Sequence, residues 1–151
     1  MARAYFEDYE VGERRTTPGR TITEADITNF AGLSGDWHPL HTDAEFADAT
    51  PYGERVAHSM LVLSIGSALA SRLGQYEALP KSFIAFYGME DVKFLAPVLI
   101  GDTIHLETEI AALDPKDDAR GIVETQSKII NQHGDVVCSY ISKILCGRQP
   151  S

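Results

Sequence analysis

A chain of 151 residues is long enough to bury a genuine core, and a hydrophobic content of 44% is ordinary for a globular protein. The formal charge of -9, with no run of Lys or Arg, excludes the basic footprint that a nucleic-acid or anionic-membrane surface requires. Small molecules or other proteins are the expected partners.

The amino terminus turns acidic at Glu7 and Asp8 before any apolar run develops, and no later stretch is long enough to span a bilayer. A cytoplasmic protein is the expectation, organised as one domain over 1–151 without repeats, low-complexity tracts or linkers. Cys138 and Cys146 fall on one face of a single predicted strand, about 26 Å apart at strand rise, so two free reduced thiols are expected.

Residues 6–20 read as a lead-in with a short strand over 14–17. Thr23 then stands before Glu24 and Asp26 as an N-cap followed by first-turn acids, and Ile27, Phe30 and Ala31 continue as a helical stripe. This helix delivers the chain to Ser34-Gly35-Asp36-Trp37-His38-Pro39-Leu40-His41-Thr42-Asp43. Gly35 and Pro39 disfavour a continuous helix there, and an irregular, tightly turned loop that aims polar side chains into a cleft is predicted.

Asp36 and His41 are the pair this loop singles out, because a carboxylate and an imidazole brought together polarise a water and pass its proton on. Two other readings stay open on spacing alone. In one, Asp36 caps a turn and His41 donates to a backbone carbonyl. In the other, Asp36, His38, His41 and Asp43 form a metal cluster, which lacks a nearby Cys and has its two His flanking a proline.

Residues 43–48 form a further helical turn with Asp43 as its cap, ended by Pro51 and Gly53. The stretch 56–73, uncharged up to Arg72 and closed by Gly74, reads as a buried helix that something must wrap. Its small residues Ser64, Gly66, Ser67, Ala68 and Ala70 admit a close neighbour.

Four strand-like segments, 82–94, 102–113, 120–131 and 135–148, supply the wrapping, and their short connections predict antiparallel pairing of neighbours. In the second, Ile104, Leu106 and Ile110 alternate with His105, Glu107 and Glu109. The last is apolar on both faces, so one face covers the helix and the other meets a further layer or subunit. The expected class is α+β, a long central helix gripped by a curved antiparallel sheet.

Thr23-Glu24-Ala25-Asp26, the run from Ser34-Gly35-Asp36 to His41, Ala57-His58-Ser59-Met60-Leu61, and the run from Phe94-Leu95-Ala96-Pro97-Val98 to Gly101-Asp102 together resemble the MaoC-like, hydratase-2 family. That resemblance implies a hot-dog fold and (R)-specific hydration of a trans-2-enoyl-CoA, with no metal or redox cofactor and coenzyme A only as part of the substrate. It places Asp36 and His41 on the water and adds Ser67 on the long helix as a third catalytic residue, whose hydroxyl alternatively bonds back to a helical carbonyl. Backbone N–H groups near His58 and Ser59 are expected to stabilise the thioester oxygen.

This chain departs from the family pattern at His38, where relatives have Asn, and at Ser59, where they have Gly. Trp37, Tyr52 and Tyr87 are candidate pocket walls, and His38 is expected to pack against the turn. Arg55, Arg72, Lys81 and Lys93 are unranked candidates for the coenzyme phosphates. Rival readings are a hot-dog acyl-CoA thioesterase and a catalytically silent acyl-CoA-binding subunit. A homodimer is expected, since a lone sheet of this kind leaves edges exposed.

Overall fold

The computed structural model describes residues 2–151. Strands β1 (Arg14–Thr16), β2 (Arg20–Thr21), β3 (Phe83–Phe94), β4 (Thr103–Pro115), β5 (Arg120–Ile130) and β6 (Val136–Gly147) make an antiparallel sheet in the order β1-β4-β5-β6-β3, with β2 also on β4. Helices α1 (Glu24–Ser34), α2 (Pro39–Thr42), α3 (Ala44–Asp48) and α4 (Ser59–Ala68) precede the long strands, and α4 continues as a 3-10 turn over Leu69–Leu73. A central helix held by an antiparallel sheet is the hot-dog arrangement.

Local chemistry accounts for α1. The Thr23 hydroxyl accepts from the Asp26 N–H at 3.2 Å while Asp26 Oδ2 accepts from the Thr23 N–H at 2.9 Å, closing a reciprocal cap. Arg20 doubles the arrangement by donating twice to the Asp26 carboxylate, at 2.9 and 2.8 Å, and holds that carboxyl below the usual carboxylate range. Gly35, at φ 80°, ends the helix with its N–H on the Ala31 carbonyl.

The helix-facing side of the sheet is read from register. Gly121, Val123, Thr125, Ser127 and Ile129 of β5 stand opposite Cys146, Ile144, Ser142, Tyr140 and Cys138 of β6. At one end α4 lies on Ile129, so close that a Cβ added at Gly66 would sit 2.7 Å from Ile129 Cγ1. At the other end Phe6 covers Gly121 in the same manner. Between them a cavity of about 710 Å³ opens over Ser127, Thr125, Tyr140 and Ser142. Cys138 and Cys146 lie unpaired on this face, and burial pushes both thiols up to about 11.

Three expectations are corrected. Helix α4 starts at Ser59, three residues after the apolar run begins, because Val56 bridges Leu99 and the Ala57 N–H donates to the Val98 carbonyl. Segment 34–43 is not irregular throughout: Pro39 opens the single-turn helix α2, where its missing N–H costs nothing. Consecutive strands β3 and β4 do not pair; β3 pairs with β6 at the opposite edge. Their connector is fully engaged elsewhere, with the Leu95 N–H on the Val137 carbonyl and the Leu99 N–H on Asp102.

Candidate active site

Every turn of the Asp36 loop is tied down. The Asp36 N–H donates to Ser34 Oγ at 3.1 Å, and Asp36 Oδ1 accepts from the His38 N–H at 3.3 Å. His38 caps α2 through Nδ1, which accepts from the Leu40 N–H at 3.1 Å, and its ring packs edge-on against Phe46. Asp43 caps α3 by accepting from the Phe46 N–H. His38 Nδ1 and Asp43 Oδ1 are thereby engaged in local structure.

His41 projects from α2 with Nδ1 2.7 Å from the Val56 carbonyl. A carbonyl only accepts, so Nδ1 carries the proton and Nε2 keeps its lone pair. That bare nitrogen stands 3.9 Å from Asp36 Oδ2, in a side chain that is 51% exposed while the imidazole is 13% exposed. Carboxylate and imine nitrogen are both acceptors, so they do not bond each other. One water donating to both fits the gap. His41 thus donates to a backbone carbonyl through Nδ1, while its Nε2 faces the Asp36 carboxylate.

His58 lies beneath the pair, 2% exposed. Its Nε2 is 2.9 Å from the Asp36 carbonyl, its ring stacks on His41 with centroids 3.9 Å apart at 27°, and Phe30 closes the other side at 4.9 Å. Sequence reasoning expected its backbone at the site and had no signal for the imidazole's contacts.

Asp36, His41 and His58 each offer a potential ligand atom, all within 4.8 Å. They do not fit one ion. Ring lone pairs lie in the ring planes, and two nearly parallel stacked imidazoles aim them side by side rather than at a common point. Among the described residues His38 and Asp43 do not join this group, and His38 Nδ1 and Asp43 Oδ1 serve as helix caps.

His41, Ser59, Tyr52, Phe94, Leu95 and Pro97 line a second cavity of about 280 Å³. Ser59 is the first residue of α4, and the helical ladder begins with the Val62 N–H on the His58 carbonyl, leaving the first N–H groups pointing outward. Trp37 is exposed and lies along Gly32 of α1, away from this cavity. Within one chain the structure does not bring Ser67 to Asp36 and His41: it lies eight residues beyond Ser59, its hydroxyl donates to the Ser64 carbonyl at 3.2 Å, and it lines the large cavity. Tyr87 is also apart, bonded to Lys116 near the β4–β5 turn. Of the basic candidates, Arg55 pairs with Glu24, Arg72 reaches the Gly19 carbonyl, Lys81 sits over the Tyr76 ring, and Lys93 lies on edge strand β3.

A model of the MaoC like domain matches residues 8–132. This chain belongs to the MaoC-like dehydratase family. An (R)-specific enoyl-CoA hydratase of Rhodospirillum rubrum is 37% identical over 113 residues, covering 74% of the MaoC-like chain and 73% of its own length. The protein MaoC of Klebsiella aerogenes is 43% identical over 104 residues, 69% of this chain and only 30% of that protein. Among solved structures, one from Archaeoglobus fulgidus described as a monoamine oxidase regulatory protein superposes with a TM-score of 0.91 at 39% identity, covering 99% of this chain and 98% of that one.

Proposed function

We propose that this MaoC-like protein is an acyl-CoA hydratase/dehydratase that reversibly adds water to a trans-2-enoyl-CoA thioester with (R) stereochemistry. The observation that carries the reading is the 3.9 Å gap between Asp36 Oδ2 and the unprotonated Nε2 of His41, beside the open N-terminus of α4. Water held in that gap loses a proton to the pair as its oxygen bonds to the β-carbon. The alkene electrons move toward the thioester oxygen, where the Ser59 N–H and the helix dipole stabilise the enolate-like charge. The pair then returns a proton to the α-carbon, which completes the addition and restores both residues, and dehydration is the reverse.

Ser67 and the large cavity enter this reading as the surroundings of the acyl chain, in an assembly larger than one chain. The outer side of β3 has no strand partner among the described residues, and Phe83, Ile84, Phe86, Tyr87 and Phe94 are exposed along it. Such an edge supports a homodimer joined through β3. A monomer at micromolar concentration in sedimentation would contradict that part. No helix among the described residues is long and apolar enough to cross a membrane.

Mixing the pure protein with crotonyl-CoA separates the three readings. Loss of enoyl absorbance supports hydration, release of free thiol supports a thioesterase, and binding with neither supports a silent acyl-CoA-binding subunit.

A further inference from the structure

Two histidines in this chain cap helices from almost the same backbone conformation and do different things. His38, at φ -53° and ψ 135°, turns Nδ1 onto the Leu40 N–H. His58, at φ -57° and ψ 136°, makes no such bond: its Nδ1 is buried and has no hydrogen-bond partner among the described protein groups. A buried polar nitrogen left unpaired is a local cost that native structures rarely carry without a return elsewhere.

The return is visible at the other nitrogen. The Asp36 carbonyl accepts from His58 Nε2 at 2.9 Å, so Nε2 bears the proton and Nδ1 is a bare lone pair. One imidazole thus grips the backbone of one member of the water-binding pair and supports the ring of the other, stacked on His41 at 3.9 Å and backed by Phe30 at 4.9 Å.

From this geometry we infer that His58 is a positioning residue for the Asp36–His41 pair, its Nε2–H holding the Asp36 main chain and its ring face holding the His41 imidazole in the orientation that leaves Nε2 aimed at the water. The inference rests on the hydratase reading for its kinetic consequence only.

Two substitutions divide the roles. His58→Phe keeps a ring under His41 and removes the donor; His58→Gln keeps an N–H for the Asp36 carbonyl and removes the ring. Each should lower kcat with crotonyl-CoA by roughly 10–100-fold, the scale typical of groups that orient a reacting side chain, with KM nearly unchanged. The second readout is the 15N spectrum of the His41 ring, which in the wild type should show one tautomer, protonated at Nδ1. In His58→Phe that signature should give way to a mixture as the Asp36 loop loosens, and His58→Gln should restore part of it.

A folded His58→Phe protein with wild-type kcat and an unchanged His41 spectrum would overturn the inference. If His58→Phe fails to fold, His58→Met, apolar and without a donor, takes its place and is read the same way. A wild-type protein with no turnover would defeat the hydratase reading alone, because the His41 spectra of wild type and variants still decide whether His58 sets the pair.

Discussion

His41 Nε2 and Asp36 Oδ2 face each other across 3.9 Å as two acceptors with no proton of their own to share. In the proposed hydratase reading, one water fills that gap. Asp36→Asn keeps the shape and turns one acceptor into a donor, so hydration should fall by roughly 10²–10⁴-fold with the melting temperature nearly unchanged. His41→Gln should behave similarly. The double variant should lose much less than the product of the two single losses, because groups that act on one water fail as a unit. Steady-state kinetics of the three proteins check this, and fully multiplicative losses would mean that the residues do not share a water.

Ser59 offers its N–H at the start of α4 and lines the same cavity as His41. Ser59→Gly keeps the donor and removes the hydroxymethyl group, so rate and acyl preference should change only modestly if the side chain stands aside. A rise approaching the ~10²–10³-fold attributed to one oxyanion donor would show instead that the side chain obstructs the thioester. Thermal melts belong with the kinetics, because glycine at a helix start costs a few tenths to about 1 kcal/mol.

At Gly66 the helix meets the sheet with no room for a side chain: an added Cβ would stand 2.7 Å from Ile129 Cγ1 and 3.2 Å from its Cγ2. Gly66→Ala should therefore lower stability by about 1–3 kcal/mol despite alanine's better helix propensity. Ile129→Val removes the outermost methyl of the obstruction. In chemical denaturation the double variant should be more stable than the sum of the single effects, the sign expected of two residues that contest one space.

The cap of α1 supplies a pH dependence. Arg20, first, and then the Thr23 N–H and hydroxyl hold the Asp26 carboxyl below the usual carboxylate range. A group whose pKa is lower in the folded chain than in the unfolded one stabilises the fold fully above the unfolded value, and that contribution is lost as pH falls through the folded value. Asp26→Asn should thus cost about 1 kcal/mol at neutral pH, part of the bond to Arg20 being screened by water. Melts of both proteins from neutral to acid pH should converge as the pH drops below the ordinary carboxylate range; a constant difference would mean that the charge on Asp26 contributes nothing.

What could be read from the sequence was local chemistry. Thr23, Asp26 and Gly35 announce α1 because caps and turn glycines act within four residues, and the alternation of Ile104 and Leu106 with His105 and Glu107 announces β4 for the same reason. Asp36 and His41 stood out because they lie five residues apart on one turned segment. Contacts between distant segments were not legible. Nothing in the run from Val56 shows that it bridges Leu99 before the helix begins, nor that β3 crosses to the far side of β6. The imidazole of His58 was opaque for the same cause, since its proton is placed by the carbonyl of Asp36, 22 residues earlier. Ser67 was assigned by its place in a pattern, and in a single chain the length of α4 separates it from the pair.

The most direct test of water addition by this site is to run crotonyl-CoA with the protein in 18O-labelled water and follow the products by mass spectrometry. Hydration at the Asp36–His41 pair predicts 3-hydroxybutyryl-CoA of (R) configuration carrying one 18O at the β-carbon with the thioester intact, and a yield that collapses in Asp36→Asn. Label appearing in a free carboxylic acid alongside released coenzyme A, or unlabelled crotonyl-CoA recovered whole, would contradict it.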